Sequence, residues 1–198
     1  MTIDSPGPFT IADLQVLTDV ALTAWRAGIE ADWSVAAGTL EWSCFATADH
    51  TIDCVFSYAQ FLASRVTDAY PPFSEVHALA GATPLDLVNG ITAMTNLLRA
   101  IVLDTPTDVR AIILARAQPG IRLGAPPDFA ARGAHELVLH THDLSAGLGI
   151  EFVPPEPACA RLRDHTAPWP FGPDLPPSDD AWSDLLERSG RERVTPRP

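Results

Sequence analysis

HELVLHTHDLSAGLG, residues 135–149, is the stretch from which the rest of the chain can be read. Leu137, Leu144 and Leu148 recur at helical spacing, and Gly149 stands where a helix commonly ends on a left-handed residue. On a helix, residues four apart stack one turn above another on the same face. Glu136 and His140 form such a pair. With Arg132 before them and Asp143 after, four ionisable groups fall within about 80° of arc, at roughly 100° per residue. Such a stripe beside an apolar face is costly to bury unless its members satisfy one another or hold something. Two readings fit: a solvated edge closed by an Arg132–Glu136 ion pair, or a face that binds a ligand.

Three more long helices are predicted. One spans 10–33, with Leu14, Leu17, Val20, Ala21, Ala24 and Trp25 near helical spacing. A second spans 43–66, capped by Ser43 and carrying Val55, Phe56, Ala59 and Leu62. A third runs over 83–105, opened by Thr83-Pro84 and carrying Leu87, Ile91, Met94, Leu98 and Ile101. The helix that holds the opening stretch spans 128–148. Between the third and fourth helices, the β-branched run near 109–124 is either a short strand or a helical extension, and periodicity does not separate the two. From Pro154 onward ten of the last 45 residues are proline, so long regular elements give way to two short helices, near 156–164 and 179–189. Trp169, Phe171 and Trp182 supply apolar anchors that should wrap this tail onto the helices. The expected fold class is all-α: a four-helix bundle over 1–153 and a Pro-rich extension over 154–198 packed on it. Trp33 and Trp42 bracket the first interhelical loop and are expected to fix it against the bundle.

A net charge of −12 argues against nucleic acid as a partner, because that partner needs a basic surface. No apolar run reaches the roughly 20 residues of a membrane span, and the N-terminus lacks a basic segment followed by an apolar block. A cytoplasmic protein, monomer or homodimer, is expected. Cys44, Cys54 and Cys159 are odd in number and widely spread, which reads as small buried apolar residues rather than a disulfide framework.

His50 gives the ligand reading its third member. It lies inside the second helix, with Ala46 and Cys54 one turn away on either side. Facing helices that each offer imidazole or carboxylate are a recurring way to build a metal site in a helical core. His50, Glu136 and His140 make a three-donor set that leaves a position open, as catalytic sites do. Zinc suits this set; nickel, iron and manganese also take such donors. His135 and His142 point away from Glu136 by roughly 100° and 120°. His142 is kept as a possible pocket-rim residue, and His77 and His165 are read as surface residues.

Three segments resemble one family. TLEWSCFATADHTIDCV, 39–55, resembles the first metal motif of the DinB-like superfamily, in which a Trp soon after the loop precedes a His in the next helix. HELVLHTHDLSAGLG is similar to its second motif, Glu-x-x-x-His followed by an acidic residue and a small-rich helix end. FGPDLPPSDDAWSDLLERSGRE, 171–192, resembles the tail of small single-domain members of the mycothiol-dependent maleylpyruvate isomerase-like group. The resemblance implies a DinB-like four-helix bundle with His50, Glu136 and His140 as metal ligands and mycothiol as co-substrate. The larger isomerases carry an additional C-terminal domain for which this sequence has no room. His142 stands where that family often has Trp. Both departures turn the expectation away from maleylpyruvate itself.

The expected activity is a metal-dependent transferase or isomerase that joins a low-molecular-weight thiol to a small electrophile. The ion would lower the pKa of the bound thiol, and the thiolate would attack. Asp143 would orient a ligand histidine through its N–H, and Arg132 would pair with a carboxylate of substrate or thiol. The alternatives are a metal-dependent hydrolase using water, a non-catalytic DinB-like binding module, and a subunit interface formed by the Glu136 face.

Overall fold

A computed structural model describes residues 7–71, 75–113, 122–169 and 176–191. The chain is mostly helical. In order it forms α1 (Ile11–Ala27), α2 (Cys44–Ser64), α3 (Pro84–Asp104), β1 (Ala111–Ile112), β2 (Leu123–Gly124), α4 (Pro126–Leu148), α5 (Glu156–Thr166) and α6 (Ala181–Arg188).

The helix starts follow from their first residues. Thr10 and Thr83 each accept a backbone N–H three residues on, while Asp13 and Asp86 reach back to the cap N–H, so orphan donors are satisfied at both ends of the motif. Ser43 caps α2 through the Ala46 N–H (3.1 Å). Asp128 accepts the Ala125 N–H at the start of α4 (2.7 Å), and Gly149 ends that helix at φ 70°.

The four long helices pack on one another so that α4 touches α1, α2 and α3, and α2 touches α3. The middle of α4 is buried nearly all round: Phe129, Ala130, Ala131, Ala134, Leu137, Val138 and Leu144 are in the core. Small residues make this possible. A β-carbon on Gly147 would run into the Ala36 carbonyl and the Cys44 sulfur, so glycine there lets the first interhelical loop lie directly on α4. The Trp25 indole N–H donates to the Thr141 hydroxyl (2.9 Å), tying α1 to α4 through a bond buried on both sides.

Three expectations change, and one alternative left open is resolved. The first helix stops at Ala27, six residues short of Trp33, because Gly28 ends it and Asp32 then takes the Ser34 N–H and hydroxyl in a tight turn. Trp33 folds back under α1, donating to the Gly28 carbonyl (2.8 Å) and meeting Trp25 edge-on. Trp42, by contrast, is half exposed and stands edge-on to His50, with ring centres 5.0 Å apart. The β-branched run resolves as an antiparallel two-residue ladder, Ala111 opposite Gly124 and Ile112 opposite Leu123. His165 is not a surface residue: it bonds Asp128 (2.9 Å) and sits between the rings of Phe9 and Trp169.

The extension packs as α5 on α4 and α1, and α6 on α5. Trp182 packs edge-on against His142 and Phe152. Arg161 forks onto Asp13, and Arg163 bonds Asp184 (2.8 Å). Phe171, expected as an anchor, lies outside the described residues. Among the described residues no helix is long and apolar enough to cross a membrane.

Candidate functional site

The site lies where α2 faces α4. Both helices offer it a polar pair one turn long: His50 and Cys54 on α2, Glu136 and His140 on α4. The His50 and His140 rings meet at 80° with centres 5.3 Å apart. The Nε2 of His140 stands 3.6 Å from Oε2 of Glu136, and the Nε2 of His50 stands 3.3 Å from the Cys54 sulfur. Among the described residues no group of three His, Cys, Asp or Glu side chains stands ready to hold a metal ion.

Neighbours fix both members of the α4 pair. His140 Nδ1 lies 3.0 Å from Oδ2 of Asp143, within hydrogen-bond reach, and its Nε2 faces Glu136. Burial pushes the Asp143 carboxyl up, but bonds from His140 and Arg191 outweigh it and hold the group below its usual range, so it stays an acceptor. On Glu136, Oε1 accepts from Arg132 (2.7 Å) and lies 3.4 Å from the Tyr58 hydroxyl. That turns Oε2 toward the histidines. Burial alone would raise Glu136; the Arg132 charge, helped by the neighbouring imidazoles, overrides it and takes the carboxyl down to about 2.

Arg132 is the anchor of this corner. Its Nε and Nη2 donate to the Tyr58 hydroxyl (3.1 and 2.6 Å), and its guanidinium lies between the rings of Tyr58 and Trp169. Burial keeps the Tyr58 phenol protonated by raising it well above its ordinary value, and the Glu136 charge adds to this. Burial lowers His50, and His140 lowers it further, so the imidazole is held neutral. Neutral imidazole is the form that donates a lone pair.

A cleft of about 690 Å³ opens onto this group, walled by Trp42, His50, Cys54, Tyr58, Phe61, Arg132 and Glu136. Its mouth carries Asp49, Asp53 and Glu75, with His77 held between Asp49 (2.8 Å) and Glu75 (3.2 Å).

Of the residues singled out in the sequence, His50, Glu136, His140, Arg132 and Asp143 come together. His142 does not: it is buried against Trp182 of α6, turned toward the extension rather than the cleft rim, because it sits on the flank of α4 that the tail covers. Arg132 is spent on Glu136 and Tyr58 instead of standing open toward a substrate carboxylate. The ion pair expected for a solvated edge does form, but with the Arg132 side chain only 7% exposed it is not solvated. Sequence reading missed Tyr58, Cys54 and Arg191. Tyr58 and Cys54 lie two and one turns beyond His50 on the same face, and that spacing was the available signal.

No family model, no curated protein and no solved structure matches this chain.

Proposed function

We propose that this protein is a metal-dependent, cytoplasmic transferase or isomerase of the DinB-like four-helix-bundle kind. It would join a low-molecular-weight thiol, mycothiol by resemblance, to a small electrophile. The observation that carries the reading is the α4 pair. A histidine held at Nδ1 by Asp143 presents its Nε2 3.6 Å from a carboxylate oxygen whose partner oxygen is held by an arginine.

The donors suit a divalent ion. Two donors bound to one zinc at about 2.0–2.1 Å in tetrahedral geometry stand roughly 3.3 Å apart, and two imidazoles sharing such an ion have ring centres roughly 5 Å apart. The α4 pair at 3.6 Å and the His50–His140 rings at 5.3 Å are close to both spacings. Bringing the two helices' donors onto one point takes rotation about side-chain bonds. His50, Glu136 and His140 would hold the ion, which when bound lowers the pKa of a coordinated thiol and so supplies the nucleophile.

The chain's own residues do the positioning. Asp143 fixes the His140 ring plane. Arg132 and Tyr58 hold one oxygen of Glu136 and leave the other for the site. Trp42 and Phe61 wall the cleft with apolar surface on which an electrophile can lie away from water.

The test is turnover of 1-chloro-2,4-dinitrobenzene by zinc-loaded protein, with and without added mycothiol. Thiol-dependent turnover that disappears in His140→Ala supports the reading. Thiol-independent hydrolysis would make the protein a hydrolase, and no turnover with zinc bound would make it a binding module.

A further inference from the structure

We propose that Arg191, at the end of the C-terminal extension, is a positioning residue for His140 and acts through Asp143. The proposal rests on the metal reading above for its consequence, although not for its geometry. Asp143 is 4% exposed at its side chain and carries a charge that something must compensate. Arg191 does so as a fork: Nε donates to Oδ1 (2.8 Å) and Nη2 to Oδ2 (2.7 Å). The same Oδ2 accepts the Nδ1–H of His140 (3.0 Å). Both carboxylate oxygens are thereby fixed in one plane, and the oxygen that orients the imidazole cannot swing away.

The backbone before Arg191 is built to deliver it. The Gly190 N–H donates to the Glu187 carbonyl (3.0 Å) and the Arg191 N–H to the Leu186 carbonyl (2.8 Å), while Gly190 takes φ 74°. This is the two-bond Schellman ending of a helix, which turns the chain sharply back after α6. Helix α6 is itself seated by Trp182 against His142 and by the Arg163–Asp184 ion pair. Docking of the extension and orientation of an α4 imidazole are therefore one connected network of bonds. An arginine 48 residues beyond Asp143 holds the carboxylate that orients the His140 ring.

Removing the fork leaves a buried carboxylate held by the His140 ring alone. Asp143 is then free to rotate, and the His140 ring loses its fixed orientation. Partners of this kind change metal affinity by about 10–100-fold in histidine sites. Lysine would keep the charge but present no fork.

The test uses the full chain and two readouts. The first is the His140 tautomer in metal-free protein by nitrogen-15 NMR of the imidazole; the second is zinc affinity by competition with a chelator. Arg191→Met and Arg191→Lys are compared with Arg188→Met. Arg188 fastens the same helix through the Ala167 and Trp169 carbonyls without touching Asp143. The expected result is a loss of the Nδ1–H bond to Asp143 and about 10–100-fold weaker zinc in Arg191→Met, a smaller change in Arg191→Lys, and none in Arg188→Met. An unchanged tautomer in both Arg191 variants overturns the proposal. So does an equal change in Arg188→Met, which would make tail packing the cause. A wild type that binds no zinc, with a tautomer that still shifts in Arg191→Met, keeps Arg191 as the positioning residue and sinks the metal reading instead.

Discussion

The Tyr58 hydroxyl on α2 accepts two N–H groups from Arg132 on α4, at 2.6 and 3.1 Å. This bond joins α2 to α4 beside the cleft, and it leaves the phenol's own proton directed toward Glu136. Replacing Tyr58 with Phe keeps the ring and deletes the acceptor. Two buried guanidinium donors lose their partner, which costs about 1–3 kcal/mol. Urea denaturation should report that loss.

Arg132→Met is expected to cost more, about 3 kcal/mol, because it leaves the partly buried Glu136 carboxylate without its countercharge. The second half of the prediction isolates the cause. Adding Glu136→Gln to Arg132→Met should recover part of the loss, since the stranded charge is gone. A double variant less stable than Arg132→Met would show that packing of the guanidinium on Tyr58 and Trp169, rather than charge, dominates.

Gly147→Ala tests the close approach of the first interhelical loop. The new methyl would meet the Ala36 carbonyl and the Cys44 sulfur, and neither is the far end of a flexible side chain. A loss of about 1–3 kcal/mol is expected. Gly81→Ala has open space around its β-carbon but a φ of 87°, so any loss there reports backbone strain alone.

Acid stability should depend on Asp13. Burial raises its carboxyl, but bonds from Arg161 and Thr10 outweigh this and leave it below the ordinary 3.8. A group depressed in the folded state stabilises fully above its unfolded pKa, and that contribution fades as pH falls through the folded value. Wild-type stability should therefore drop as pH is lowered below about 4, and Asp13→Asn should flatten that part of the curve. A curve of unchanged slope in Asp13→Asn would remove Asp13 from the acid response.

How far these features were legible in the sequence follows from how local their causes are. Thr83-Pro84 with Asp86, and Gly149 after a Leu-spaced run, mark helix ends with chemistry carried within four residues, and the structure places helix boundaries there. The Glu136–His140–Asp143 arc follows from helical spacing alone, and Asp143 meets His140 as that spacing requires. The end of α1 was misplaced because Gly28 and the Asp32–Ser34 turn are weaker signals than the apolar Trp33 beyond them. Cys54 reads as a small buried apolar residue, and nothing near Tyr58 in sequence points to Arg132 and Glu136, which α4 places opposite it. Arg191 ends a tail segment that the sequence does mark, but its role is not local: its partner is on another helix. His142 failed for the complementary reason, since nothing nearby in sequence announces that Trp182 covers that flank of α4.

Cobalt titration of the metal-free protein, followed by visible absorption, tests the central claim most directly. The account expects about one ion per chain, with the d–d bands of a four- or five-coordinate site, and their loss in His50→Ala and in His140→Ala. Cobalt that fails to bind, or that binds with the same spectrum in both variants, would contradict it.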